Sequence, residues 1–263
     1  MKKKETTNFS QLFSEFIGVF IIVLFGTSSL ISSTCANLNY NNFEISIIWG
    51  FIVSIAIYIA YPFSGAHLNP AITISFWILN FISLKKLITY VIMQFFGGFF
   101  GAIFSYIIQY KIINNYIIIN DITYNSDNVI GFLSLFSTYP SIHLNFCEAF
   151  VIEFFITAIL MSLIILCNHD KNIYFNKKYI PLIIGSFISI IGISLGHLTG
   201  FALNPARDLG PKIFLFIIGW GDIVLSGGYE NCYYLWVPLI ATTLGSCSTA
   251  IFYRILRYFK KVN

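Results

Sequence analysis

The residues able to do chemistry in this chain gather in two stretches, Ser64-Gly65-Ala66-His67-Leu68-Asn69-Pro70-Ala71 and Leu198-Thr199-Gly200-Phe201-Ala202-Leu203-Asn204-Pro205-Ala206-Arg207-Asp208. Each contains an asparagine directly before a proline. Asparagine is a good helix N-cap, and proline suits the first helical position because its missing N–H would have been unpaired there. Asn69-Pro70-Ala71 and Asn204-Pro205-Ala206 therefore each read as the start of a short helix. With its side-chain oxygen held by cap bonds, each asparagine has amide N–H left to donate to a passing oxygen. The extended stretches ahead, Gly65-Ala66-His67 and Leu198-Thr199-Gly200, offer backbone carbonyls as a ladder of acceptors. Glycines 65 and 200 let that unwound backbone run close to an open path. This is chemistry of transient hydrogen bonding. The chain shows no nucleophile–base–orienter set and no HExxH motif, so an intramembrane enzyme is a distant reading.

The elements around these stretches are strongly apolar. Of the 263 residues, 57% are hydrophobic and 10% charged, with a mean hydropathy of +0.79, against roughly 25% charged residues in soluble domains. Six long apolar segments lie near 11–33, 45–62, 86–109, 146–167, 179–196 and 234–256. Their lengths predict membrane spans. The basic N-terminus followed by an apolar core has the outline of a signal peptide, but that core carries Glu15 and no small-x-small cleavage site closes it. Two further apolar runs, near 69–80 and 204–218, are too short to cross and read as re-entrant segments. Irregular backbone at that depth is tolerated only when buried in protein or lining water.

Twelve of the 15 Lys and Arg residues fall in four places: Lys2 to Lys4, Lys85/Lys86, Lys171/Lys177/Lys178, and Arg254/Arg257/Lys260/Lys261. No nucleic-acid groove-binding motif accompanies them, so the net charge of +4 points to membrane flanks and not to nucleic acid. Under the positive-inside rule these segments, and with them both termini, are cytoplasmic. The five cysteines, Cys35, Cys147, Cys167, Cys232 and Cys247, show neither a CxxC pattern nor metal spacing. No metal and no cofactor are expected.

An internal repeat is visible. Glu15-Phe16-Ile17-Gly18 precedes the first Asn-Pro-Ala, and Glu153-Phe154-Phe155-Ile156 precedes the second, at separations of 54 and 51 residues from glutamate to asparagine. Three spans part the two copies, so the second is inverted in the membrane. The repeats, about 11–110 and 146–258, form one channel domain over 1–263, joined by an external loop at 110–145. Inverted repeats with paired short helices point to a central substrate path. The two half-helix N-termini, each worth roughly half a positive charge, then face one point and repel cations. The equivalence of Glu15 and Glu153 under the repeat favours scaffolding over a catalytic carboxylate pair.

Both Asn-Pro-Ala boxes, together with the segments EISIIWG (44–50), FSTYP (136–140) and LTGFALNPARDLGPKIF (198–214), make the chain similar to the aquaporin and glycerol-facilitator family, the major intrinsic proteins, and within it to bacterial glycerol facilitators. The resemblance covers about Ser14 to Tyr258. It implies an all-α membrane protein of six transmembrane helices and two re-entrant half-helices, with one pore per subunit in a homotetramer set in membrane lipid. It further implies a selectivity filter of Trp49, Gly192, Phe201 and Arg207. The expected topology puts all four at one external level. Water pores of the family carry a histidine where Gly192 stands, so glycine here favours glycerol. Glu15 and Glu153 resemble the family's buried glutamates, which accept hydrogen bonds from loop backbone near the boxes, and His67 matches a loop position whose carbonyl matters. Asp208 reads as a structural neighbour of Arg207 and not as a second pore charge.

Two residues depart from the pattern. His197 stands where proline or a small residue is expected, and reads as a partly exposed loop residue. Glu148 opens the fourth span where an uncharged polar residue is usual. The expected function is a passive channel in the cell membrane for glycerol and other small linear polyols, with water as a secondary permeant and urea a candidate. The competing readings are a mainly water-conducting aquaporin and a proton-coupled secondary transporter.

Overall fold

A computed structural model describes residues 8–168, 176–229 and 233–262. Lys2, Lys3, Lys4, Lys171 and Cys232 lie outside the described residues, as do the side chains of Lys260 and Lys261. Six helices are long and apolar enough to cross a membrane: α1 (Phe9–Cys35), α2 (Asn42–Ser64), α4 (Leu84–Ile108), α7 (Phe146–Cys167), α8 (Ile180–Thr199) and α11 (Trp236–Val262). At 1.5 Å per residue even α8, with 20 residues, is about 30 Å long, which matches the bilayer core. All six expected spans are present, with ends displaced by a few residues.

Local sequence sets the helix starts. Asn8, Asn41 and Asn145 cap α1, α2 and α7, and the third helical residue of each (Gln11, Glu44, Glu148) bonds back to the cap N–H. These are capping boxes. Glu148, unexpected from sequence, therefore has a structural role: its Oε2 accepts from the Asn145 N–H at 2.8 Å, and it stays exposed.

Two short helices follow the two asparagines. α3 (Pro70–Ile78) has 9 residues and α9 (Pro205–Leu215) has 11, about half the thickness of a bilayer core each. They touch one another, and each packs on α4 and α11. The long helices pair α1 with α4, α2 with α8, and α7 with α11. Gly97 and Gly101 of α4 lie against the α1 backbone, Gly50 faces Gly185 across α2 and α8, and Gly245 of α11 faces the Phe154 carbonyl. A side chain at any of these would meet backbone, so close approach requires small residues there.

The connection at 110–145, expected from its Asn- and Tyr-rich sequence to be a partly ordered loop, is partly helical. It contains α5 (Tyr110–Ile119) and α6 (Val129–Leu133), and Phe132, Leu133 and Phe136 are buried in the main core. The physical reason is a small apolar cluster within an Asn- and Tyr-rich segment, which folds down onto Phe214 and Trp220. The remaining short helix, α10 (Ile223–Ser226), precedes α11 and contacts α6 and α9.

Candidate functional site

A cavity of about 340 Å³ runs between the long helices. One wall is apolar and built from helical stripes spaced four residues apart: Trp49, Val53, Ile57 and Tyr61 on α2, and Ile180, Ile184 and Ile188 on α8. The α2 stripe alone spans about 18 Å. The cavity is also lined by polar groups of the two loops and half-helix starts: Gly65, Ala66, His67, Asn69, Asn204 and Arg207.

The loops are held by the two buried glutamates. Glu15 accepts from the amides of His67 (3.0 Å) and Leu68 (2.7 Å) and from Gln94 Nε2 (2.7 Å). Glu153 accepts from the amides of Ala202 (2.9 Å) and Leu203 (3.1 Å) and from Thr199 Oγ1 (2.6 Å). A buried carboxylate requires such partners, because stripping it of water is otherwise very unfavourable. The bonds also explain a backbone that would not persist alone. Gly65 and Gly200 end α2 and α8 in the left-handed region (φ +87° and +75°). After them Ala66, Leu68, Phe201 and Leu203 keep positive φ of 51°, 50°, 39° and 55°. Such strain in non-glycine residues survives only where the surroundings over-determine it.

The chain then enters the half-helices. Asn69 Oδ1 accepts from the Ala71 N–H at 2.9 Å, and Asn204 Oδ1 from the N–H groups of Ala206 (3.0 Å) and Arg207 (3.4 Å). One amide hydrogen of each asparagine crosses to the other loop: Asn69 Nδ2 donates to the Leu203 carbonyl (2.8 Å) and Asn204 Nδ2 to the Leu68 carbonyl (2.7 Å). A side-chain amide has two hydrogens, so one per asparagine remains beside the cavity that both residues line.

The acceptor ladder differs from expectation in its second copy. Leu198 and Thr199 belong to the last turn of α8, the Leu198 carbonyl accepts from the Ser141 N–H (2.7 Å), and Thr199 Oγ1 is bonded to Glu153. The non-helical backbone starts only at Gly200 and continues through Phe201 and Ala202. The available signal was Gly200 itself, because a glycine in the left-handed region commonly closes a helix. His197 likewise lies in that last helical turn, exposed, and not in a loop.

Farther along, Trp49, Phe201 and Arg207 come together. The Trp49 and Phe201 rings meet edge to face at 6.2 Å between centroids, and the Arg207 guanidinium lies 4.2 Å from the Trp49 ring centre. Arg207 Nη1 reaches the Phe136 carbonyl at 3.5 Å. Gly192 stands behind Phe201: a Cβ there would lie 3.0 Å from Phe201 Cζ and 2.7 Å from Ser46 Oγ. It backs the Phe201 ring and is not among the residues that line the cavity.

Asp208 turns away from the cavity. It accepts from Ser137 Oγ (2.7 Å), the Thr138 N–H (2.9 Å) and Thr138 Oγ1 (2.5 Å), and pairs with Lys212 Nζ at 2.6 Å. Lys212, fully buried, also donates to the Thr138 carbonyl (3.1 Å) and sits 4.9 Å and 5.2 Å from the ring centres of Tyr139 and Tyr234. Sequence reading missed Lys212, Ser137 and Thr138. The available signal was the i,i+4 spacing of Asp208 and Lys212 on a short helix. At the other end of the cavity, His67 Nδ1 is buried without a hydrogen-bond partner, and its ring packs 4.6 Å from that of Phe76. Among the described residues no three His, Cys, Asp or Glu side chains are grouped to hold a metal ion.

Residues 2–253 match the family model described as Major intrinsic protein. The chain is 39% identical over 246 residues to the glycerol uptake facilitator protein of Escherichia coli (strain K12), covering 94% of this chain and 87% of that one. It is 38% identical over 245 residues to the propanediol uptake facilitator PduF of Salmonella typhimurium (strain LT2), covering 93% and 92%. The solved aquaglyceroporin from Plasmodium falciparum superposes with a TM-score of 0.79 at 30% identity, covering 93% of this chain and 94% of that one. Six membrane-length helices, two half-helices meeting at paired Asn-Pro-Ala boxes and this whole-length match lead to one conclusion: the chain belongs to the major intrinsic protein family.

Proposed function

We propose that the cavity is the conducting path of a passive, bidirectional channel for glycerol and other small linear polyols, with water as a secondary permeant and urea a candidate. The observation that carries this reading is the constriction, where the Trp49 and Phe201 rings stand edge to face and the Arg207 guanidinium lies beside them. Such a ring is amphipathic. The aromatic faces pack against the CH side of a polyol, while guanidinium N–H groups donate to neighbouring hydroxyls. Facilitators of glycerol and of propanediol among the relatives support the same substrate class.

Beyond the constriction, carbonyls of Gly65, Ala66 and His67 and those of Phe201 and Ala202, all residues that line the cavity, serve as acceptors along the path. At the centre the free amide hydrogens of Asn69 and Asn204 both donate to one permeant oxygen. A water there has donors on both sides and no acceptor, which breaks a proton relay. The half-helix N-termini, each about half a positive charge, oppose cations at the same point. The protein carries out no chemical step. We assign it to the cell membrane with both termini cytoplasmic, as a homotetramer of single channel domains, each built of repeats at about 11–110 and 146–258 joined by the external segment 110–145.

Stopped-flow light scattering on proteoliposomes tests this. Glycerol flux well above that of empty vesicles, linear in the gradient and indifferent to an imposed pH difference, is the expected result. Water flux without glycerol flux supports a water-preferring channel; saturable uptake driven by a proton gradient supports a transporter.

A further inference from the structure

The ring of Phe201 rests against α8 along two glycines one turn apart. A Cβ built on Gly196 would lie 2.9 Å from Phe201 Cδ1 and 3.1 Å from Cε1, and one on Gly192 would lie 3.0 Å from Cζ. Carbon atoms in good contact are about 3.5–4.0 Å apart, so the ring edge occupies the space where a side chain on either glycine would stand. The two glycines are not equivalent. A methyl group on Gly192 would first meet Ser46 of α2, whereas a methyl on Gly196 meets the ring, with Asn42 Oδ1 next at 3.5 Å.

The Phe201 backbone has little freedom to follow. Its φ of +39° is already strained, and the next two amides are tied to Glu153. Trp49 stands edge-on to the ring, and the remaining side is the cavity that Phe201 lines. We propose that Gly196 is a specificity-determining position: its missing side chain seats the Phe201 ring out of the path and thereby sets the width available to a polyol. The residue acts through Phe201 and touches no permeant. The inference rests on the reading that the cavity conducts polyols.

The test is Gly196→Ala in proteoliposomes, with glycerol and water permeabilities measured for wild type, Gly196→Ala, Phe201→Leu and the double variant, each normalised to protein in the membrane. A methyl pushed into a tight passage discriminates by about tenfold or more, so the ratio of glycerol to water permeability falls by that order in Gly196→Ala. In the double variant the shorter leucine leaves room for the methyl, and the ratio returns to that of Phe201→Leu alone. An unchanged ratio in Gly196→Ala, or the same fractional loss with leucine at 201, overturns the inference. If Gly196→Ala does not accumulate in membranes, restored accumulation in the double variant supports the contact with Phe201 and unrestored accumulation refutes it. Absence of glycerol flux in the wild type overturns the channel reading instead, so the two failures are distinguishable.

Discussion

At the residue scale, the site depends on very few atoms, each with its position set by a named partner. Gly192 illustrates this: a Cβ there would meet Ser46 Oγ and Phe201 Cζ, so in the proposed filter it leaves room for the aromatic ring to recede. Placing histidine there while shortening Phe201 to alanine puts an imidazole where the ring stood. Glycerol permeability of Gly192→His/Phe201→Ala is expected to drop by about tenfold or more, since a pocket discriminates by that order for small changes in shape. Water permeability falls much less, and stopped-flow light scattering reads both. The same scale explains Asn69 and Asn204, whose oxygens cap helices while one hydrogen bonds the opposite loop. Only the second hydrogen is left for a permeant.

At the element scale, the half-helix α9 is stitched to the connection between α4 and α7. Arg207 Nη1 bonds the Phe136 carbonyl, Asp208 takes donors from Ser137 and Thr138, and Lys212 donates to the Thr138 carbonyl. The connection thus becomes part of the wall that holds Arg207. Breaking a buried ion pair by removing one partner destabilises by about 3–5 kcal/mol. Asp208→Asn leaves the Lys212 ammonium buried with the Thr138 carbonyl and two tyrosine rings. Lys212→Met leaves the carboxylate with its Ser137 and Thr138 donors. Thermal denaturation in detergent should therefore show the larger loss for Asp208→Asn. The double variant should recover part of that loss, because no uncompensated charge stays buried. Additive losses in the double variant would sink this account of the pair.

At the scale of the whole molecule, two half-helices end on one point only because six long helices enclose them. That convergence places two positive helix ends beside the path. An aspartate in place of Asn204 keeps the cap acceptor but adds a negative charge and removes the donor that crosses to Leu68. Asn204→Asp is expected to admit protons at a rate above wild type while still passing glycerol, measured with a pH-sensitive dye trapped in vesicles. Proton flux equal to wild type in a folded, conducting variant would show that the helix ends and amide donors do not carry the exclusion.

The sequence by itself determined the six apolar spans, the two capped half-helix starts and the pairing of Glu15 with Glu153 as equivalent residues. Each of these follows from local rules: apolar length against bilayer thickness, and the hydrogen-bonding needs of a helix end. The family resemblance named Trp49, Gly192, Phe201 and Arg207; the fold brings the three side chains together and sets Gly192 behind the Phe201 ring. Leu198 and Thr199, which lie ahead of the second box, close α8 instead of extending. Tertiary structure alone decided the reciprocal asparagine bonds, which join residues 134 and 136 positions apart, the Asp208–Lys212–Thr138 stitch and the seat of Phe201 on Gly196. The asparagine bonds and the docking of Thr138 on Asp208 and Lys212 join distant segments, and the Phe201 ring meets Gly196 only because the chain reverses at Gly200, so which carbonyl, ring or glycine stands opposite is settled when the helices pack.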